Sequence, residues 1–279
     1  MREIKGEEIA AAAERRFRSE YDYAAWEYLR SAKVIQALER AGVKLAGRVL
    51  DDGCGSGGTA LSLAEECSFA VGLDLHARFR GSGTRLRAER AIANAGFVQG
   101  DATTLPFRDG SFDLVFSHSV IEHVSDAEAY LAECRRVLRP GGILYLSTAP
   151  WLSLAGAHLP RLLVPVPVHI VLGRPTAFRL FRWLARRAPW TLKERKEANT
   201  FIALAEQGRE KEDDLVQRVT VTRLAGWIAR SGFAVLREER YVTGFFRRAF
   251  PGPLRRALEA TPFARDVAIG HIQCVLQRA

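Results

Sequence analysis

Residues 48–64 read Arg48-Val49-Leu50-Asp51-Asp52-Gly53-Cys54-Gly55-Ser56-Gly57-Gly58-Thr59-Ala60-Leu61-Ser62-Leu63-Ala64. Val49-Leu50 is a short apolar run that stops in acid and glycine, as a buried strand stops, and Thr59 to Ala64 opens a helical pattern. The four glycines between them allow a sharp turn and let the backbone approach a ligand with no Cβ in the way. Strand, glycine turn and helix N-terminus together make a cofactor cradle at the carboxyl edge of a parallel sheet. Gly53-x-Gly55-x-x-Gly58 also fits the dinucleotide fingerprint, so a nicotinamide or flavin enzyme is one reading. Asp51, at the strand end, weighs against it. A carboxylate there faces a pyrophosphate badly but accepts hydrogen bonds from an ammonium group, which points to a cofactor with a cationic end.

The acid-x-Gly-x-Gly-x-Gly pattern of Asp51-Asp52-Gly53-Cys54-Gly55-Ser56-Gly57 resembles the class I S-adenosylmethionine-dependent methyltransferases, in the broad group that shares a methyltransferase type 11 core. Leu105-Pro106-Phe107 and Leu138-Arg139-Pro140-Gly141-Gly142 extend the likeness over about residues 45–150. The resemblance implies S-adenosyl-L-methionine as cofactor. It implies a cofactor-binding set of Asp51, Gly53, Cys54, Gly55, Gly57, Asp74, Leu75, Asp101, Ala102 and Ser117. About the methyl acceptor it is nearly silent.

Composition narrows the class. The 279 residues, 48% hydrophobic and 26% charged, suit a soluble globular chain with a substantial core. No window reaches the roughly 18 uninterrupted apolar residues of a membrane span, and the charged start, Met1 to Glu8, lacks the apolar run of a signal peptide. Cys54, Cys67, Cys134 and Cys274 are scattered without metal-like pairing and read as reduced thiols, so a cytoplasmic protein is expected. The net charge of +9 is one-sided: residues 151–279 hold 22 Lys+Arg against 11 Asp+Glu, leaving 19 against 21 for residues 1–150. That asymmetry suits an acidic partner, whether anionic lipid, phosphorylated substrate or nucleic acid, with nucleic acid ranked below lipid because no aromatic-basic RNA-reading motif is visible. A merely solvated arginine-rich surface is the equal alternative.

Taken in order, residues 7–18 and 24–41 read as helices, the second with Trp26, Leu29, Val34, Ile35 and Leu38 inward and Tyr21-Asp22-Tyr23 between the two. Packing against the core is the preferred role for these tyrosines, with lining of the cofactor site as the other. Phe69 to Asp74 is the second strand, ending in an acid 23 residues after Asp51. A carboxylate at that spacing accepts ribose hydroxyls, and the resemblance adds Leu75 packing on the adenine. A helix is expected from about Thr84 to Asn94, closed by Gly96. Phe97 to Ala102 is the third strand and its exit. There the resemblance gives Asp101 the adenine amino group and the Ala102 N–H a ring nitrogen, although a lone strand-end Asp more often caps a turn.

Ser111 to Ser117 is the fourth strand, and His118-Ser119-Val120-Ile121-Glu122-His123-Val124 follows at its carboxyl end, where cofactor and acceptor meet. Some relatives bind a metal here through Glu-x-x-Glu-His. This chain has Ser119 in place of the first Glu, so no metal is expected and Glu122-His123 is read as a loop-bracing pair. His118 stands on the expected methyl path or packs beside the adenine. A helix from Ser125-Asp126 to Leu138 and a fifth strand, Ile143 to Thr148, complete the series.

From Ala149 to about Val216 the βα rhythm breaks, and Pro150, Pro160, Pro165, Pro167 and Pro175 forbid one long helix. The resemblance places acceptor-binding insertions here, and His158 is the preferred acceptor contact. Ala177 to Trp190 is a basic amphipathic pattern, with Arg179, Arg182 and Arg186 on one side, that reads as a packed lid or as an interfacial helix. Pro253 to Ala260 repeats that flavour. Thr222 to Arg230 reads as a helix closed by Gly232, Phe233 to Leu236 as a strand, and His271 to Leu276 as a last strand returning antiparallel beside the fifth.

The expected fold is α/β: a Rossmann-like, doubly wound sheet of seven strands, mostly parallel with an antiparallel last strand, and an α-helical lid insertion. One domain is expected over 1–279, made of N-terminal helices (1–44), a cofactor-binding core (45–150), an acceptor-side insertion (151–216) and a C-terminal part of the core (217–279). The function that follows is methyl transfer to a small-molecule or lipid-linked acceptor, with His118 and His158 as candidate bases and peripheral contact with an anionic membrane. A nicotinamide-dependent oxidoreductase and a non-catalytic basic membrane- or nucleic-acid-binding protein are the rivals.

Overall fold

Val49 and Leu50 are adjacent on one strand, point to opposite faces and are both fully buried, so their sheet is covered on two sides. The computed structural model describes residues 6–40, 42–153, 158–164, 166–195, 199–208, 217–250, 252–253 and 260–279. Its strands are β1 (Arg48–Asp52), β2 (Phe69–Asp74), β3 (Ala95–Gln99), β4 (Phe112–His118), β5 (Leu138–Thr148), β6 (Phe233–Val242) and β7 (Ile269–Arg278). They form one seven-stranded sheet in the order β3-β2-β1-β4-β5-β7-β6. The first five run parallel, and β7 lies antiparallel between β5 and β6. This is the doubly wound sheet that the sequence predicts. Strand order reverses between β1 and β4, and such a switch point opens a ligand crevice at the carboxyl ends of the strands.

Helices α1 (Gly6–Arg15), α2 (Glu20–Arg40), α3 (Gly58–Ala64) and α4 (Ser82–Glu89) stand toward the amino-terminal half. On this face Tyr28 and Ile35 of α2 and Leu61 of α3 pack with Val49, Leu114, Phe116 and Tyr145 of the sheet. Helices α5 (Ala127–Val137) and α9 (Val221–Ser231) cover the other face, where Tyr130, Leu131, Leu224 and Trp227 meet Leu50, Val71, Val115 and Leu144. Local chemistry sets their ends. Asp126 caps α5 by accepting from the Glu128 and Ala129 amides at 2.8 and 3.1 Å. Gly232, left-handed at φ 74°, stops α9.

Some boundaries differ from expectation. Tyr21-Asp22-Tyr23 is not a link but the first turn of α2, because Ser19 caps the helix early, accepting from the Asp22 amide at 3.0 Å. The fourth helix ends at Glu89 rather than Asn94. Ala91 turns left-handed, and the Asn94 amide group is held by the Ala64 and Cys67 carbonyls at 2.7 and 3.0 Å, which leaves Gly96 inside β3, opposite Val71. The third strand accordingly ends at Gln99, short of Asp101.

In the insertion, α6 (Val168–Val171), α7 (Arg174–Arg187) and α8 (Thr200–Glu206) close over a small core of their own, built on Leu159, Ala177, Phe181, Leu184, Leu192 and Ile202. The basic helix therefore starts three residues earlier than Ala177 and stops before Pro189, with Pro175 in its first turn where a missing N–H costs nothing. Short helices α10 (Gly244–Ala249) and α11 (Pro262–Ala268) lead into β7. Most of the second basic stretch, Pro253–Ala260, lies outside the described residues.

Candidate active site

The glycine turn is held by the sheet beneath it. The Gly53 and Cys54 amides both donate to the Leu73 carbonyl at 2.8 Å, and the Gly57 amide donates to the Cys54 carbonyl at 2.8 Å. The Gly55 amide donates to one oxygen of Asp74 at 2.8 Å, while the His76 amide takes the other at 2.8 Å. These amides are thus spent on shaping the loop, and Asp74 is fixed at the tip of β2 with lone pairs left on each oxygen. The Cys54 thiol is buried under the loop with Ala60 and Phe79, and burial pushes it up, so it is packing material rather than a nucleophile.

Helix α2 lies directly on this loop. A Cβ on Gly58 would fall 2.1 Å from the Ala24 carbonyl oxygen, so only glycine allows the approach. The Ser56 hydroxyl donates to Glu20 at 2.7 Å and ties the two together. The contact brings Glu27 to Asp51, which is 2% exposed, with Arg30 beside Glu27. Asp51 Oδ2, Glu27 Oε2 and Arg30 Nε are each buried with no hydrogen-bond partner among the described residues. Burial, and then the charge of Glu27, lifts the Asp51 carboxyl well above the usual range. Burial likewise pushes Glu27 up to about 7, against the pull of Arg30 and Arg78. Native folds rarely leave such groups unsatisfied. Two carboxylates and a guanidinium are the complement of an ammonium and a carboxylate carried by one ligand, so the residues present fit the amino-acid end of S-adenosylmethionine.

The other predicted contacts differ in character. Leu75 is 58% exposed beside Asp74, an apolar face suited to a purine ring. Asp101 is exposed, and its Oδ1 accepts from the Thr103 amide and hydroxyl at 2.8 and 2.7 Å, which is turn-capping chemistry. Ala102 is half-buried and packs on the core. Ser117 is buried, and its hydroxyl accepts from Tyr130 at 2.6 Å on the α5 face of the sheet.

His118 lies on the same sheet face as Asp51, since Asp51 pairs with Phe116 and strand side chains alternate. Its Nδ1 shares the Ser147 hydroxyl, at 3.0 Å, with His271 Nε2 at 2.9 Å. Burial, followed by the charge of Arg30, pushes His118 down to about 4, so the imidazole is neutral at pH 7. His158 lies elsewhere. Its Nε2 is 3.8 Å from Glu122 Oε1, an ion-pair separation, and its ring centroid is 5.4 Å from that of His123. Donor atoms of Glu122, His123 and His158 all fall within 4.8 Å of one another, a set that suits proton handling or a divalent cation. Glu122 is 4% exposed and accepts from the Thr148 hydroxyl at 2.8 Å. Burial pushes its carboxyl up, but His158, a backbone amide and Thr148 outweigh that and hold it below the ordinary value.

Sequence reading missed Glu20, Glu27, Arg30 and His271. One signal for Glu27 and Arg30 was present: both lie on an amphipathic helix beside the inward Trp26 and Leu29, where purely apolar residues are expected. His271 carried none, because only the return of β7 beside β5 brings it to Ser147.

Residues 50–146 match the methyltransferase domain family. That stretch carries the methyltransferase domain of the class I S-adenosylmethionine-dependent enzymes. It is 38% identical over 147 residues to a demethylmenaquinone methyltransferase of Beutenbergia cavernae, covering 50% of this chain and 59% of that protein. Over 189 residues it is 32% identical to a fatty-acid O-methyltransferase of Mycolicibacterium smegmatis, covering 66% and 59%. Over 104 residues it is 38% identical to a sterol 24-C-methyltransferase of Gibberella zeae, covering 37% and 27%. The chain thus spans between about a quarter and three fifths of the length of these relatives. The crystal structure of an S-adenosylmethionine-dependent methyltransferase from Mesorhizobium loti superposes with a TM-score of 0.52 at 21% identity, covering 91% of this chain and 98% of that one. The [4+2]-cyclase SpnF superposes with a TM-score of 0.51 at 18% identity, covering 91% and 82%, so the fold is shared beyond methyl transfer.

Proposed function

We propose that this protein transfers a methyl group from S-adenosylmethionine to a small, lipophilic or lipid-linked acceptor, working in contact with an anionic membrane. The observation that carries the reading is the cluster of unpartnered buried groups on Asp51, Glu27 and Arg30 at the switch point of the sheet. Asp51 and Glu27 hold the cofactor's ammonium, and Arg30 answers its carboxylate. Asp74 accepts the ribose hydroxyls, Leu75 packs on the adenine and Asp101 receives the adenine amino group. The sulfonium supplies a methyl group already activated for displacement.

The chain's remaining task is to align the acceptor in line with that methyl group and to exclude water. His158, backed by the buried Glu122 carboxylate, takes the proton that an acceptor hydroxyl or amine loses as the new bond to carbon forms. His118, kept neutral on the Asp51 face, borders the methyl path. The acceptor class draws support from relatives named for a demethylmenaquinone, a fatty acid and a sterol, each lipophilic.

The test is calorimetric titration of S-adenosylhomocysteine and NADH, followed by methyl transfer to a panel of quinols, fatty acids and sterols in mixed micelles. Micromolar binding of the nucleoside and turnover of one panel class are expected. Binding of NADH alone, or no binding of the nucleoside, overturns the reading.

A further inference from the structure

Seven of the fourteen exposed large hydrophobics among the described residues fall between Leu163 and Trp190, all in the insertion. The same stretch is the most basic part of the chain. Residues 160–195 hold eight Arg and Lys against the single acid Glu194, which is seven of the nine net positive charges. Glu194 does not offset them outward, because its carboxylate is taken by the Arg161 backbone amide at 2.8 Å and by the Arg161 guanidinium.

The arrangement follows from α7. Its Ala177, Phe181, Leu184 and Ala185 are turned into the insertion's own core. At about 100° per residue, Trp183 lies about 200° around from Phe181, on the side away from that core with Arg179 and Arg187. Trp183 is 57% exposed. The chain before α7 runs back beside it. Leu162 bridges Leu192 and the Leu163 amide donates to the Thr191 carbonyl at 3.0 Å, beyond the helix's C-terminal end, while Gly173 joins Leu172 to its first turn. Leu163, Val164, Val171 and Leu172 are exposed along that return, and Trp190, 73% exposed, stands next to Thr191. Aliphatic side chains and tryptophans interleaved with cations give an amphiphilic face rather than a solvated charged one.

We infer that this outer face of the insertion docks on an anionic phospholipid surface, with Leu163, Val164, Trp183 and Trp190 entering the headgroup–acyl boundary and Arg179 and Arg187 meeting phosphates. The inference rests on the proposed lipophilic acceptor and adds the surface and orientation by which such an acceptor is met. Exposed Leu and Val favour a bilayer over nucleic acid, since aliphatic chains gain from acyl contact but offer no ring for a base to stack on. Each cation near an anionic leaflet strengthens partitioning by about fivefold and loses that effect beyond a Debye length. Among the described residues no helix is long and apolar enough to cross a membrane, so attachment through this face is peripheral.

The experiment is co-sedimentation of the full chain with phosphatidylcholine vesicles and with equimolar phosphatidylcholine–phosphatidylglycerol vesicles, with brominated-lipid quenching of tryptophan fluorescence. Two double variants are compared, Trp183→Ser/Trp190→Ser and Arg179→Glu/Arg187→Glu, and S-adenosylhomocysteine calorimetry reports whether each is folded. The wild type should partition onto anionic vesicles at least tenfold better than onto neutral ones. Both variants should lose at least tenfold of that while binding the nucleoside unchanged, and quenching should vanish in the tryptophan variant. A wild type that stays in the supernatant with both vesicles, or folded variants that sediment as well as it does, overturns the inference. Loss of nucleoside binding by the wild type with vesicle binding intact would instead sink the proposed methyl transfer and leave the docking face standing.

Discussion

Gly58 and Ala24 touch so closely that a single added methyl group on the glycine would sit 2.1 Å from the alanine's carbonyl oxygen. Helix α2 is therefore packed directly on the glycine loop, not appended to it. Gly58→Ala must push α2 off the loop or distort both. Overpacking of this kind costs about 1–3 kcal/mol, and displacement of Glu27 and Arg30 should weaken S-adenosylhomocysteine binding at least tenfold. A thermal melt and a titration calorimeter read the two effects, and wild-type affinity in a folded Gly58→Ala protein would show that α2 is dispensable.

Glu27 sets a pH dependence. Its carboxyl is raised to about 7 in the ligand-free fold from an ordinary 4.5, so the folded state favours its neutral form. That contribution to stability is fully present below about pH 4.5 and is lost as pH rises through about 7. The cofactor's ammonium needs the ionised form, so affinity should climb between pH 6 and pH 8 with net proton release, and the cofactor-induced rise in melting temperature should be larger at pH 8. Glu27→Gln should bind more weakly with a flat profile over that range. Calorimetry in buffers of different ionisation enthalpy counts the protons.

Asp74 does two things at once: buried at the tip of β2, it anchors the Gly55 and His76 amides and keeps lone pairs free on both oxygens. Asp74→Ala should lower cofactor affinity by about a hundredfold, as loss of two hydrogen bonds to a charged group implies, and should lower the melting temperature even without ligand. An unaltered apo melt would mean that the loop keeps its shape without those bonds.

The Glu122–His158 pair should show in turnover rather than in cofactor binding. His158→Gln and Glu122→Gln are each expected to lower kcat by about a hundredfold to ten-thousandfold while leaving S-adenosylhomocysteine affinity unchanged. Dialysis against EDTA should not change the wild-type rate. A rate that collapses on dialysis and returns with a divalent cation would reassign Glu122, His123 and His158 as metal ligands.

Much of the fold was legible because it is written in short-range chemistry. Val49-Leu50 followed by acid and glycine marks a strand meeting a helix, Asp126 and Gly232 mark helix ends, and Pro150 to Pro175 mark the place where the alternation fails. What was not legible depends on distant contacts. Asn94 ended a helical pattern by reaching back to Ala64, whereas the cap that absorbed Tyr21 to Tyr23 into α2 is the local Ser19–Asp22 contact, which sequence reading passed over. In the site, Asp51 and Asp74 could be read from their places at strand ends. Glu27 and Arg30 stood out only as charges on an apolar helix side, because Glu27 meets Asp51 only once α2 has settled on Gly58, and Glu122 meets His158 only when the insertion folds back to the loop after β4.

In the proposed function, the ionic grip of Asp51, Glu27 and Arg30 is aimed at the part of the cofactor that survives the reaction. Demethylated product keeps the same amino-acid tail, so under that proposal these three residues would give the spent nucleoside nearly the same foothold as the fresh one. Discrimination between them falls to the neighbourhood of the lost sulfonium charge, and a protein built this way slows as its own by-product accumulates unless another activity clears it.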